Sequence, residues 1–406
     1  MPYALSYRHF LLKWFIISIM KLTKRFLPLY IGIFFQGLVF WYAIEKLFMT
    51  NVGFTPQTIG VSVALLSVTV LIVEIPSGIL ADRWSRKGAL ILSSIALVAC
   101  SLVGAISTNV PTYLICSSLW GLYIALYSGN VESIIYDVLL EEKGYSANYE
   151  HEFGKTEVFY SAALILGGVS GGIISQFIGL RETFWLSVPT ALISIIFLYI
   201  FKEPKLHKEN QNESLIKHIK LTFRSVFRNK DLTWLLISLL ASMTLFTILI
   251  EMSQLWLIAL FAPVILYSVM QSLNTSIFGI GGMLSRFIKT KRNILIGILL
   301  SLLSLLCLIF SHNVWVIILA VFIILLVVWG INVVITHKIQ DSLPSQVRAG
   351  SLSAIGSVGR ILIIPSSLFF GFLATNQNIS IAGWFLVLIL LIAMAAIVIS
   401  RYKFKK

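Results

Sequence analysis

Charge is what this sequence has least of. Acidic and basic side chains make up 12% of its 406 residues, about half the share of an ordinary soluble domain. With 58% hydrophobic residues alongside, the chain lacks the polar surface a water-exposed fold needs. Cysteine is scarce as well. Cys100, Cys116 and Cys307 lie inside apolar runs, at spacings that fit neither a disulfide framework nor a metal site. No metal is expected. The phosphate-cradling pattern G-x-x-x-x-G-K-[ST] is missing, which argues against nucleotide drive within the chain, and no cofactor is expected. The N-terminal stretch has no small-residue cleavage site, so it does not read as a signal peptide.

Long apolar runs are abundant. Lipid offers the backbone no hydrogen-bond partners, so spanning segments must be helices or closed barrels. Barrel strands alternate polar and apolar residues. Here the runs are continuous and near the ~20 residues a crossing helix needs. Twelve spans are expected, at 26–48, 58–80, 88–107, 112–138, 157–178, 183–201, 232–257, 263–285, 293–310, 314–336, 350–374 and 380–400. A polar, basic stretch at 202–231 divides them into a first half, 26–201, and a second half, 232–400. Within it LIKHIKLTFRSVF has helical spacing suited to a membrane surface. Residues 401–406 form a basic tail. Residues 1–25 are too short of apolar residues to span and read as an interfacial or cytoplasmic segment, dispensable if Met20 is the native start.

The net charge of +14 would point to nucleic acid in a soluble protein. In this chain the lysines and arginines gather between spans, as the positive-inside rule requires, and no nucleic-acid partner is expected. With both termini cytoplasmic, basic groups near 24, 86, 205, 228, 291 and 403 share one side. The other side keeps Lys46 and Arg181, and Arg360 alone falls inside a span.

The densest charge cluster is GILADRWSRK at 78–87. Shifted by 204 residues, GILADRWSRKGALIL overlies GMLSRFIKTKRNILI at 282–296, with Gly78 on Gly282 and Arg286 opposite Asp82. Two six-helix halves related by repetition are a common transporter plan. GILADRWSRK also resembles the signature of the major facilitator superfamily between the second and third helices. Gly78, Leu80, Ala81, Asp82, Arg83, Arg86 and Lys87 match it, and Ser85 replaces a glycine. The resemblance covers the chain from about residue 26. It implies an all-α membrane protein of twelve transmembrane helices in two six-helix halves. It also implies a latch: Gly78 for close approach, Asp82 at the start of the eleventh helix near SQVRAGSLSAIG, and Arg86 bridging to Asp137 on the fourth. Arg83, Arg86 and Lys87 serve equally to fix topology.

Two further family patterns are weaker. ALILGGVSGG at 163–172 is similar to the antiporter motif of the fifth helix, with Ala163 at its first glycine and Gly168 at its proline. Gly167, Gly171 and Gly172 permit tight packing, with or without antiport. The fourth-helix arginine of many members falls at Ser117 and is absent.

Charge inside a bilayer is costly and marks candidate sites. Glu132, with Tyr136 one turn on, is the leading proton carrier. Glu45 lies beside Lys46 and serves either transport or the headgroup zone. Glu74 sits one turn before Gly78, and Glu251 one turn before Gln254. Arg360 either pairs with one of these acids or binds an anionic substrate. Gln36 and Trp41 on the first helix are candidate substrate contacts among abundant aromatics that otherwise pack. The expectation is a monomeric plasma-membrane transporter of the bacterial drug-exporter type, exchanging protons for a small amphipathic solute. The alternative is a proton-coupled importer of a metabolite or lipid precursor.

Overall fold

The computed structural model describes residues 24–143, 148–205, 232–343 and 345–400. The expectations for residues 1–23, most of the linker and the basic tail lie outside these, as do the surroundings of Gly282 and the side chains of residues 143 and 344–350. Among the described residues, twelve helices long and apolar enough to span a membrane run in sequence: α1 Lys24–Asn51, α2 Pro56–Arg83, α3 Arg86–Ile106, α4 Val110–Glu142, α5 Tyr149–Phe177, α6 Leu180–Ile200, α7 Thr233–Met252, α8 Val264–Leu284, α9 Lys291–Phe310, α10 Val314–Asp341, α11 Ser345–Asn376 and α12 Ile379–Ile399. Polar residues mark their starts. Thr55 closes a capping box with Thr58 ahead of Pro56, and Asn109 accepts from the Thr112 N–H ahead of Pro111. The ends that lead toward the 202–231 linker are called the linker end; the opposite face is the far end.

Three helices are interrupted. α1 loses its ladder at 38–41 before the short turn Tyr42–Ile44, α4 breaks at Ser128–Gly129, and α7 breaks at Ser253 before the short helix Gln254–Ala259. Interrupted backbone at membrane depth must find partners within the protein. In α1 the Leu38 carbonyl accepts from Thr190 Oγ1 at 3.0 Å and the Phe40 N–H donates to Ser187 Oγ at 3.0 Å. The break is also seated on α5. A Cβ on Gly167 would lie 2.8 Å from the Val39 carbonyl oxygen, and one on Gly171 would collide with that of Phe40. The other two glycines of the fifth-helix motif, Gly168 and Gly172, face Gln271 and Ser268 of α8. The motif thus serves two seams at once, and Ala163 is buried beside Gly37.

The halves meet at the far end and part at the linker end. A Cβ on Gly60 would lie 2.5 Å from the Ser367 carbonyl oxygen, one on Gly371 would lie 2.6 Å from that of Pro56, and one on Gly172 would collide with Ser268. Whole numbers of helical turns toward the linker end, on the same faces, lie Gly78 (from Gly60), Gly154 (from Gly172), Gly279 (from Ser268) and Gly356 (from Ser367). Each of these four has nothing within 4 Å of an added Cβ. α2, α5, α8 and α11 therefore form a wedge, closed at the far end. The close approach expected of Gly78 is not made in this state, because its stripe faces open space.

Candidate functional site

The signature loop knits the linker end of the first half. Ser85, which replaces the signature's second glycine, caps α3: its hydroxyl accepts from the Gly88 N–H at 2.7 Å. That hydroxyl also donates to Glu203 at 2.7 Å, and Glu203 takes the Lys87 N–H at 3.1 Å, placing an anion at a helix N-terminus. The Lys87 ammonium donates to the Tyr199 and Phe201 carbonyls at the end of α6, 2.7 and 2.8 Å away. Arg86 pairs with Asp82 at 3.1 Å and closely with Asp137, and donates to the Ser133 carbonyl at 3.2 Å. Asp82 is otherwise exposed, and all three residues belong to the first half. The repeat extends to the contacts. Lys291, 204 residues after Lys87, donates to the Val398 and Ser400 carbonyls at the end of α12, both at 3.0 Å.

At the far end the first half reaches into the second through a buried cluster. The Lys46 ammonium lies 2.7 Å from Glu45 and 3.1 Å from Glu251 of α7. Tyr113 donates to Glu45 at 3.3 Å. Gln254 accepts the Lys46 N–H at 3.1 Å and donates to the Tyr42 carbonyl at 3.4 Å, satisfying the end of the α1 break. Lys46 and Glu45 are 3% and 7% exposed. The sequence placed Lys46 at the outer end of the first span, beside the headgroup zone; the structure buries it between two acids. Its signal was a lysine flanked by an acid inside an apolar run. Arg181, the other basic residue of that end, binds the Ala105 and Ser107 carbonyls at the end of α3.

The remaining candidates separate. Arg360 of α11 faces Glu74 of α2 at 3.6 Å, an ion pair across the halves. Gln36 is packed away from the wedge, donating to Ser93 and Ser94 of α3 at 2.9 and 2.6 Å. Trp41 is likewise enclosed, stacked on Phe184 at 5.1 Å and donating to Ser101 at 3.3 Å. Both point between α1, α3 and α6, because that is the face the α1 helix buries. Glu132 is half-buried just past the α4 break, and Tyr136 meets Tyr149 at 6.3 Å. Glu157 of α5 is exposed one turn before Tyr160, whose ring stacks on Tyr127 of α4 at 5.4 Å. Sequence reasoning missed Glu157. Its signal was a position eleven residues before Gly168, hence on the face that meets α8.

The Major Facilitator Superfamily profile matches residues 26–367. The chain belongs to that superfamily. It is 26% identical over 174 residues to an uncharacterized transporter of Buchnera aphidicola subsp. Schizaphis graminum, covering 42% of each chain. It is 24% identical over 202 residues to multidrug resistance protein 2 of Bacillus subtilis, covering 48% of this chain and 49% of that one. The chain thus spans about half the length of these relatives. Its fold overlies the crystal structure of the nucleoside transporter NupG with a TM-score of 0.72, at 16% identity, over 94% of this chain and 100% of that one. A multi-pass membrane protein of the superfamily fits every feature above.

Proposed function

We propose that the chain is a secondary active transporter of the plasma membrane, acting as a monomer, that exports a small amphipathic, drug-like solute in exchange for protons. The linker end is taken as cytoplasmic from the crowding of lysine and arginine there, so the wedge opens inward. The observation that carries the reading is the Glu45–Lys46–Glu251 cluster: two carboxylates share one ammonium, buried, across the seam that must part for outward opening. A proton arriving on one carboxylate weakens the pair that holds the far end shut. Losing it restores the pair. Proton binding thereby biases one state over the other, as alternating access requires.

The solute would enter between α4, α5 and the second half, past Glu132, Glu157 and the tyrosines. Gly78, Asp82, Arg83, Arg86 and Asp137 would form the latch that closes the linker end in the opposite state. Likeness to a multidrug resistance protein supports export, whereas the fold shared with a nucleoside transporter favours the second reading, proton-coupled import of a metabolite. Purified protein in vesicles with an imposed pH gradient tests the reading. Exchange predicts that solute moves against the inward flow of protons and that reversing the gradient reverses the flux. Movement of solute with protons would establish import, and indifference to the gradient would remove proton coupling.

A further inference from the structure

The charges near the wedge are nearly all matched. Glu74 is met by Arg360, Asp137 by Arg86, and Arg25 takes Glu141 and Glu142 at 2.7 and 2.5 Å. On the buried face of α5, Glu152 accepts from Tyr30 and pairs with Lys155 at 3.3 Å. Glu132 and Glu157 have no ion-pair partner among the described residues. Both line the seam between α4 and α5: Glu132 sits one turn before Tyr136, whose ring meets Tyr149 of α5, and Glu157 sits one turn before Tyr160, whose ring stacks on Tyr127 of α4, while Glu157 itself is exposed one turn from Gly154. Among the described residues, the membrane arginine of the second half, Arg360, is engaged by Glu74 instead. Uncompensated carboxylates at membrane depth are costly to keep without a purpose.

A second, independent feature points into the same space. The Tyr127 hydroxyl is cut off from solvent and has no hydrogen-bond partner among the described residues, and its ring stacks on Tyr160, one turn from Glu157. A buried hydroxyl left unpaired is a rare expense in a folded protein. Around it runs a column of aromatic rings. Trp120 stacks on Tyr123 at 4.8 Å, Tyr123 meets Tyr127 at 5.8 Å, and Tyr127 stacks on Tyr160 at 5.4 Å; a separate group on the same α4–α5 seam joins Tyr149 to Tyr136 at 6.3 Å and to Phe153 at 5.8 Å. Ring faces attract cations, and two carboxylates beside them add the field that selects a positive charge.

We infer that Glu132, Glu157 and Tyr127, with the rings of Tyr149 and Tyr160, form a binding site for a monovalent lipophilic organic cation. The carboxylates select the charge, the rings hold the apolar body, and the unpaired hydroxyl completes the polar edge. This deepens the export reading and rests on it for the direction of transport, but binding itself needs no gradient.

The test uses two ions of one shape and opposite charge, tetraphenylphosphonium and tetraphenylborate, titrated into the purified full-length protein at fixed pH by calorimetry. The cation is expected to bind saturably, at least ten-fold more tightly than the anion. This comparison is made on the unaltered protein, so it stands whatever any variant does. Glu132→Gln and Glu157→Gln, each checked as monodisperse and correctly folded, should weaken the cation at least ten-fold, and Tyr127→Phe a few-fold. Glu182→Gln, in the first turn of α6 at the far end, should change nothing. Equal affinity for both ions, or carboxylate variants that bind like the unaltered protein, would overturn the site. Cation binding with no proton-driven flux would instead leave the site standing and remove the exchange reading.

Discussion

Residues 26–201 contain eleven acidic side chains, and residues 232–400 contain two, Glu251 and Asp341, although each half carries seven lysines and arginines. Within the membrane the contrast is sharper. The first half supplies Glu45, Glu74, Glu132 and Glu157; the second supplies Glu251. The second half meets its polar needs with Ser, Asn and Gln instead. Asn332 accepts from Ser242, while Ser268, Ser272 and Asn274 keep buried polar atoms unpartnered. Two helix bundles of one plan thus divide the labour: one holds charge, the other offers a neutral counter-surface. A neutral surface can slide past a charged one without breaking ion pairs. The exceptions, Lys46–Glu251 and Glu74–Arg360, are then the contacts at which charge can govern the motion.

The largest effect is expected where that division is bridged. Lys46→Met leaves Glu45 and Glu251 facing each other without the ammonium. Removing one partner from a buried pair costs about 3–5 kcal/mol, less where a carboxylate takes up a proton instead. Thermal unfolding in detergent should fall by several degrees, and spin labels at the far ends of α1 and α7 should report a longer distance. Adding Glu251→Gln should recover part of the stability, since it removes one of the two stranded charges. Unchanged unfolding in the single variant would mean that the cluster does not hold the halves together.

The number of spans was legible from apolar run length, because lipid leaves the backbone no alternative to a helix; their limits were less so, since α5 starts at Tyr149, eight residues before the apolar run at 157, where charged residues continue the helix beyond the lipid. So was the repeat, whose shift of 204 residues carries Lys87 onto Lys291 and reproduces the same pair of carbonyl contacts. The breaks in α1, α4 and α7 were not legible. No proline marks the α1 break; it is stabilised by Thr190, Ser187 and two glycines more than a hundred residues away, which local sequence cannot reveal. The break decides which side chains reach the wedge. Helical spacing therefore nominated Gln36 and Trp41, which are packed in the core, and passed over Lys46 and Glu157. A charge in an apolar run announces a site, but its partners depend on how distant helices meet.

A middle-sized effect should separate the two copies of the signature loop. The first copy holds Asp82 where the second holds Arg286. Asp82 is 62% exposed beside Arg86, and a surface pair of this kind contributes about 0–1 kcal/mol. Asp82→Asn should therefore leave thermal unfolding nearly unchanged while most transport is lost, because the latch it serves forms in the opposite state. Spin labels at the linker ends of α2 and α11 should show the open arrangement enriched. Arg286→Gln should leave flux near normal. Equal loss in both variants would make the loops equivalent and the acid incidental.

The smallest effect should be nearly the same in both halves. Lys87 and Lys291 each place an ammonium on two carbonyls at the end of the last helix of their half. A cation at a helix C-terminus contributes about 0.3–1 kcal/mol where solvent screens it. Lys87→Met and Lys291→Met should each lower stability by that order. The two sites share no partners, so the double variant should show the sum within about 0.5 kcal/mol. Lys87 also lies over the Tyr199 ring, 5.2 Å from its centre, which favours a slightly larger loss in the first half. Flux separates structure from mechanism here. If both variants transport normally once corrected for folded protein, the lysines are matched caps inherited by both halves. If Lys87→Met alone stops transport with its stability intact, Lys87 works with Asp82 and Arg86 in the latch, and the likeness between the halves ends at that residue.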